Sequence, residues 1–465
     1  MLSAYPSPRL SPMPDRRSEL AQYSPVARQQ ALILVVGFAT IIAIGMLLLR
    51  LPIAAAGERA LTWSEAFFIS TSATTVTGLV VITPAVDLSL FGQFVVLGLM
   101  EIGGAGFISF SVILFVLIGR QVTFAGRQIL RNTLGVFETF RIVPFTLTVM
   151  GFSIGIQLIG AFALWLRWRA TMPDLKAFYL ALFHSVSAFC NAGFDLFSGT
   201  GQNLFGYDKD GYTLTVMMAL IIIGGLGILV GVDIVTYYWD RRLSLHTRLT
   251  LALTLFLYVI GILIVLMDPI FEGTTFVDMS WHDRIWKAVF AVVSSRTAGL
   301  TIIPLHELGE ASILTLLVSM FIGGAPASMA GGVTLSTVAV LAVTVFSTVR
   351  GNPHAVAFGR TLPLETIAKA TAIMMVSILL VLVISLLLLA TTQGDFLNVV
   401  FEVVSAFSNT GYSLGLTSQL DGLGRFLIAF TMFWGRLGPL TLVVMLAQRE
   451  RPTYVRYPTE KIAMG

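Results

Sequence analysis

Charge is scarce in this chain. Asp, Glu, Lys and Arg make up 12% of its 465 residues, against roughly 25% in an average globular protein. Cysteine is scarcer still. Cys190 stands alone, so an internal disulfide framework is excluded and the thiol says nothing about redox compartment. Sequence signatures of catalysis are missing as well: there is no His-Glu-x-x-His, no phosphate-binding loop and no nucleophile elbow. A soluble enzyme, a nucleic-acid binder and a disulfide-stapled fold are thereby excluded, and the chain has no ATP site of its own.

Apolar runs take the place of charge. Hydrophobic residues reach 56% and mean hydropathy is +0.87. The runs Gln29–Leu49, Ile142–Leu166, Gly211–Val232, Leu249–Met267, Ala311–Val349 and Ala370–Gly394 contain no charged residue. A stretch of about 18 or more apolar residues reads as a membrane-spanning helix, because about 20 are needed to cross the hydrocarbon core. The chain is therefore expected to be an all-α polytopic membrane protein embedded in lipid. Eight candidate spans lie at about 29–50, 88–119, 142–166, 211–238, 248–268, 311–349, 366–391 and 423–447. Shorter aromatic, amphipathic segments at 61–77, 175–190, 281–295 and 395–408 hold too few apolar residues to cross alone. Residues 1–28 are rich in Pro and Arg and are expected to be a disordered tail. The apolar stretch after Arg28 exceeds the roughly 7–15 residues of a signal-peptide core, so it reads as a retained span.

With an even number of spans, both termini share a side with loops 119–141, 239–248 and 350–369. That side carries most of the 29 Lys and Arg, among them Arg120, Arg241, Arg350 and Arg449. By the positive-inside rule it is cytoplasmic, and the pI near 9.2 reflects topology. Acidic residues collect opposite, including Asp195, Asp208, Asp210, Asp268, Asp278, Asp283 and Asp421. They form either a solvated acidic face or a vestibule that concentrates cations. Asp233, near a cytoplasmic helix end, reads as solvated, and His184, on a short segment, as a packing or hydrogen-bonding residue.

An internal repeat organises the chain. Ser72-Ala-Thr-Thr-Val-Thr-Gly78, Ser187-Ala-Phe-Cys-Asn-Ala-Gly193, Val293-Ser-Ser-Arg-Thr-Ala-Gly299 and Ser405-Ala-Phe-Ser-Asn-Thr-Gly411 align without gaps, their glycines 115, 106 and 112 residues apart. A second set follows in the next span: Gly103-Gly104-Ala-Gly106, Gly224-Gly225-Leu-Gly227, Gly323-Gly324-Ala-Pro326 and Gly435-Arg436-Leu-Gly438. The unit is span, half-helix, glycine-terminated extended stretch, span. Four units place themselves at 29–119, 120–240, 241–349 and 350–448, with a cytoplasmic tail at 449–465. Non-helical backbone at membrane depth must be satisfied by protein or water, so the stretches are expected to line an aqueous path around a pseudo-fourfold axis. Their carbonyls can replace the hydration shell of a cation, and the half-helices aim their partly negative C-terminal ends at it. Glycine suits a turn that needs φ > 0 and leaves no room for a side chain. The second set is explained by close helix packing.

These motifs resemble the Trk/Ktr/HKT superfamily of potassium transporters over about residues 29–447. The two extra N-terminal spans of the Trk branch are not found before Gln29, so the resemblance is greatest to the KtrB-type membrane subunit. It implies K+ as the transported ion, with sodium coupling or a sodium preference as the alternative. An alternating-access transporter of small solutes is a more distant one, disfavoured by four repeats in one direction. It places a selectivity filter at Thr77, Gly78, Asn191, Ala192, Gly193, Thr297, Ala298, Gly299, Asn409, Thr410 and Gly411, with K+ held by backbone carbonyls. Because Gly78 is not serine, the resemblance favours potassium over sodium. It also implies a homodimer and a cytoplasmic nucleotide-binding regulatory ring of KtrA type.

The gate is expected in run 311–349, whose centre reads Gly323-Gly-Ala-Pro-Ala-Ser-Met-Ala-Gly-Gly332. Glycine costs a helix about 1 kcal/mol and proline about 3, so this span should break. The resemblance makes the break, with Gly323, Gly324, Pro326, Ala327, Ser328, Gly331 and Gly332, an intramembrane loop closing the pore. Arg436 takes the place of a glycine within the last span. A central arginine costs about 2.5–3.5 kcal/mol on insertion scales and so faces a cavity with a partner. Arg436 is expected to raise the barrier for cations while donating to loop carbonyls, and Glu101 is its candidate partner.

Overall fold

The computed structural model describes residues 16–57, 59–105, 142–197, 204, 206–207, 209–272, 279–326, 328–392 and 394–438. They are overwhelmingly helical: α1 (Arg16–Arg50), α2 (Trp63–Thr74), α3 (Pro84–Asp87), α4 (Leu90–Ala105), α5 (Ile142–Trp168), α6 (Asp174–Phe189), α7 (Gly211–Leu226), α8 (Ile228–Asp240), α9 (Leu245–Glu272), α10 (Trp281–Ser295), α11 (Glu310–Phe321), α12 (Leu335–Val349), α13 (Leu364–Thr391), α14 (Phe396–Ser408) and α15 (Gly422–Leu437). A two-residue hairpin, β1 (Val356–Ala357) with β2 (Arg360–Thr361), turns through Phe358 and Gly359, both at positive φ. This is the geometry that type I′ hairpins require.

Among the described residues, four uninterrupted helices are long and apolar enough to cross a bilayer: Leu32–Arg50, Val143–Trp168, Leu245–Asp268 and Leu364–Thr391. They are the expected first spans of the four units. Each turns a broad apolar face outward, with Ile44, Leu47, Ile159, Leu255, Leu382 and Leu386 exposed, as lipid-facing helices do. The expected second spans differ. That at 211–238 is two helices, α7 and α8, bent by 97°. That at 311–349 is α11 and α12 separated by a loop. Those at 88–119 and 423–447 run out of the described residues after Ala105 and Gly438. The described residues thus hold four continuous spans, one bent pair and the expected break in 311–349. Helix α1 also begins at Arg16, inside the stretch expected to be a disordered tail; residues 16–22 are mostly good helix formers such as Arg, Glu, Leu, Ala and Gln.

The four short segments become α2, α6, α10 and α14, close to the bounds expected. Their starts are set locally: Thr62 and Glu65 form a reciprocal capping box on α2, and Ser280 caps α10 by accepting from the Asp283 N–H. All four are buried along their C-terminal halves, and Phe68, Phe183, Phe290 and Phe401 are fully enclosed. The long helices pack around them: α1 lies on α2 and α4, α5 on α6 and α7, α9 on α10 and α11, and α13 on α14 and α15. The centre of the molecule is thus made of half-helix ends and the segments that follow them.

Candidate functional site

Each half-helix ends by the same local device. Two residues before each motif glycine the chain enters the left-handed region, at Val76 (φ 50°), Asn191 (φ 56°), Thr297 (φ 112°) and Asn409 (φ 53°). Asparagine tolerates this conformation, whereas a β-branched residue is strained there. The glycines follow with φ of 88° at Gly78, 71° at Gly193, 67° at Gly299 and 94° at Gly411. In three repeats the residue before the glycine donates its N–H to the first motif serine: Thr77 to Ser72 O at 2.8 Å, Ala192 to Ser187 O at 2.8 Å and Thr410 to Ser405 O at 3.0 Å. The Ser72 and Ser405 hydroxyls also accept from the Gly78 and Gly411 N–H, each at 3.1 Å. Repeat 3 has Val293 where the others have serine, and there the Ala298 and Gly299 N–H groups both turn to Ser294 O, at 2.9 and 3.1 Å.

The four glycine segments close a ring. A Cβ built on Gly78 would meet Ala192 O at 2.6 Å, and one on Gly193 would meet Ala298 O at 2.8 Å. One on Gly299 would strike Thr410 O, and one on Gly411 would strike Thr77 O. Each glycine therefore abuts the carbonyl that precedes the next glycine, in the order 1, 2, 3, 4 and back to 1. No side chain fits at any of the four positions. All four glycines open into one cavity of about 270 Å³, whose wall includes Asp195, Thr301, Tyr412 and Ser413. The expected filter residues Thr77, Gly78, Asn191, Ala192, Gly193, Thr297, Ala298, Gly299, Asn409, Thr410 and Gly411 are brought together in this ring and directly behind it. Val76, absent from the expected set, has a φ close to those of Asn191 and Asn409.

The second glycine set packs as expected in three repeats. A Cβ on Gly103, Gly224 or Gly435 would collide with the carbonyl of Thr74, Phe189 or Phe407, in each case the residue four before the motif glycine. Helix backbone thus lies directly on half-helix backbone. The last glycine of the motif acts differently. Gly227 (φ 80°) and Gly438 (φ 83°) end α7 and α15 at the same repeat position.

The expected gate region is a non-helical loop at 322–334 beneath the ring. Its ends are tied to each other, Gly323 N–H to Val333 O at 2.9 Å and Leu335 N–H to Gly324 O at 2.9 Å. Its middle is tied to the end of α7, Ala325 N–H to Gly225 O at 3.1 Å and Met329 N–H to Gly224 O at 3.3 Å. Pro326 and Ser328 face the α7–α8 bend, where a Cβ on Gly227 would meet Pro326 O at 2.7 Å. Gly331 and Gly332 lie against Asn409 and Ser408 at the base of the fourth segment. Ala327 lies outside the described residues.

Arg436 sits in the last turn of α15. It donates to Met329 O in the loop and to Gly103 O and Gly104 O at the end of α4, the last at 3.1 Å. Glu101 is not its partner. The Glu101 carboxylate instead accepts from the Cys190 thiol at 3.7 Å, because the carbonyls at the end of α4 and in the loop take the guanidinium donors. A further arginine, this one buried, is not singled out by sequence reasoning: Arg296, in the third motif, donates to Gly323 O at 3.2 Å and lies 5.0 Å over the Tyr258 ring. Its charge inside a glycine motif is the available signal.

The acidic side is largely committed to structure. Asp210 accepts from Arg167 Nε at 3.0 Å and Thr213 Oγ1 at 2.6 Å. Burial alone would raise its pKa, but the hydrogen bonds from Thr213 and Arg167 outweigh that and hold it below its ordinary value. Asp268 accepts from Ser312 and the Gly309 N–H, and Asp421 caps α15 through the Gly424 N–H at 2.7 Å. Asp195 alone of these lines the cavity above the ring. Asp208 and Asp278 lie outside the described residues. Asp233, expected to be solvated, is partly exposed and accepts from Ser244 and Thr247 at the start of α9.

Four long apolar helices packed around a buried ring of half-helix ends mark an integral membrane protein. Residues 14–457 match the family described as TrkH, Cation transport protein, and the chain belongs to that family. It is 35% identical over 433 residues to the Ktr system potassium uptake protein B of Bacillus subtilis, covering 93% of this chain and 96% of that protein. It is 32% identical to the Potassium/sodium uptake protein NtpJ of Enterococcus hirae, over 92% of this chain and 96% of that one. The crystal structure of the potassium transporter TrkH from Vibrio parahaemolyticus superposes with a TM-score of 0.71, covering 92% of this chain and 86% of that chain at 22% identity. That last likeness is one of fold. The resemblance drawn from the glycine repeats is thus upheld, and the family and its matched members are transporters rather than enzymes.

Proposed function

We propose that this chain is the potassium-translocating membrane subunit of a Ktr-type uptake system, lying in the cell membrane with both termini cytoplasmic. The observation that carries the reading is the ring, in which four left-handed glycines each abut the carbonyl before the next glycine, with no room for a side chain. A cation entering from the mouth exchanges water for these carbonyls. The half-helices present their negative ends to it. Below the ring, loop 322–334 closes the path, held by Arg436 through Met329, by Arg296 through Gly323 and by α7 through Ala325 and Met329. Conduction requires these ties to yield. The four units act as pseudo-equivalent quarters of one pore, each of two spans and a half-helix.

The same reading includes a homodimer and a cytoplasmic nucleotide-binding ring of KtrA type. The multi-component part of this reading is supported by the name of the Bacillus subtilis relative, which denotes one protein of a Ktr system. Loop 239–248 would meet this ring, together with segment 119–141 and the tail after Arg449, both outside the described residues. A preference for sodium is the second reading, favoured by the name of the Enterococcus hirae relative, which includes both ions.

Rubidium uptake by a potassium-uptake-deficient cell, with and without sodium, separates the two. Wild type should take up rubidium with weak competition from sodium. Gly78→Ser should shift the preference toward sodium, because its side chain must displace the Ala192 carbonyl, 2.6 Å from the added Cβ. A variant with unaltered ion preference would remove Gly78 from the filter.

A further inference from the structure

Behind the ring, two repeats share a feature that the other two lack. Nine residues before each motif glycine the half-helices carry Ile69, His184, Phe290 and Glu402. All four side chains are fully buried. His184 and Glu402 are polar, and they occupy repeats 2 and 4, which lie opposite each other in the ring order.

Both reach forward to the residue two beyond their own glycine. His184 Nδ1 donates to Leu180 O at 2.7 Å, which fixes the imidazole, and Nε2 shares a proton with Asp195 Oδ1 at 2.8 Å and lies 3.3 Å from the Leu196 N–H. The ring is wedged by Phe197, stacked at 4.7 Å, and by Trp168, edge-on at 5.4 Å. Glu402 accepts from Ser413 Oγ at 2.8 Å and also from Thr417 Oγ1. Asp195 and Ser413 both line the cavity onto which the four glycines open. In the remaining repeats the corresponding rim residues are Val80, which has no polar side chain, and Thr301, whose hydroxyl donates to Ile303 O in its own segment.

We propose that His184 and Glu402 are positioning residues that buttress the outer rim of the ring on two opposite sides and thereby set its discrimination between potassium and sodium. The proposal rests on the pore reading above. A buried polar side chain is costly unless its bonds are made, and here those bonds end on the rim rather than within the half-helix alone. Backbone that follows a left-handed glycine has no ladder of its own to hold it. The two buttresses supply fixed points, so that the carbonyls do not close around a smaller ion.

The test uses the full-length protein in a potassium-uptake-deficient cell, measuring KM and Vmax for rubidium and the inhibition constant of sodium. Glu402→Leu, His184→Phe and the milder Ser413→Ala should each raise KM and reduce preference over sodium by about 3- to 10-fold, the size expected for one lost hydrogen bond. Glu402→Gln keeps an acceptor for one hydroxyl and a donor for the other, and should restore both values toward wild type. A role confined to folding would lower Vmax with protein amount and leave KM and preference unchanged. That outcome, or a Glu402→Gln as impaired as Glu402→Leu, overturns the proposal. Uptake insensitive to Gly78→Ser overturns the pore reading and this proposal with it, whereas Gly78-sensitive uptake with unaltered KM in all three variants overturns the buttress alone.

Discussion

Replacing Arg436 by glutamine removes a side chain that ties the loop beneath the ring to both α15 and the end of α4. The guanidinium donates to Met329 O on the loop side and to Gly103 O and Gly104 O on the other. A hydrogen bond from a charged donor contributes about 1.5–3 kcal/mol net. Of these three bonds only that to Met329 holds the loop, so its loss should favour the open loop by about that amount, or roughly 10- to 150-fold in the open-to-closed ratio. On the proposed reading, the positive charge that would repel a passing cation goes with it. The cost to folding is smaller, because carbonyls that face an aqueous path can be satisfied by water. The assay is rubidium-86 entry into proteoliposomes, normalised to incorporated protein. Arg436→Gln should raise the initial rate by about tenfold or more while the loop is mostly closed. Arg436→Lys keeps the charge but has one compact head that cannot span Met329 and the two glycine carbonyls together, so it should fall between. Unchanged or lower flux through equally incorporated Arg436→Gln would refute the role of the loop as a gate.

Alanine at Gly103, Gly224 or Gly435 puts a Cβ into a half-helix carbonyl. Overpacking of this kind costs about 1–3 kcal/mol, and each variant should melt earlier in detergent; an unshifted midpoint would contradict the backbone-on-backbone contact. Asp210 has its pKa held below 3.8, so its contribution to stability is present above that value and is lost as pH falls through the lower folded value. Asp210→Asn should therefore flatten the acid limb of a stability profile, and a profile that retains its slope would show that the Arg167 and Thr213 contacts do not carry it.

Much of this arrangement is legible from residue spacing. The half-helices fall where short amphipathic segments interrupt the long runs, because a membrane imposes its length on any helix that crosses it. The four glycines are legible because a tight turn against a neighbouring backbone admits nothing larger. What stays hidden depends on contacts across the chain. Val76 and Thr297 adopt a left-handed conformation at φ 50° and 112°, which β-branched residues avoid by themselves, while Asn191 and Asn409 give the only local hint. Gly227 and Gly438 share a motif with packing glycines, yet they end their helices; apolar composition is the same on either side of a 97° bend, so hydropathy cannot register it. Depth and opposite charge suggest Glu101 for Arg436, but the guanidinium finds carbonyls at the end of α4 and in the loop. Arg296 is easily overlooked because it lies in a glycine motif rather than in a span, although it also reaches loop 322–334 through Gly323 O.

The most direct measurement is the position of rubidium in crystals of the protein, read from its anomalous scattering. Rubidium should appear on the axis of the ring, coordinated by carbonyls of the segments that contain Gly78, Gly193, Gly299 and Gly411, and sodium should weaken the peak only at large excess. No peak within the ring, or rubidium bound elsewhere along the helices with the ring empty, would contradict conduction through these four glycines.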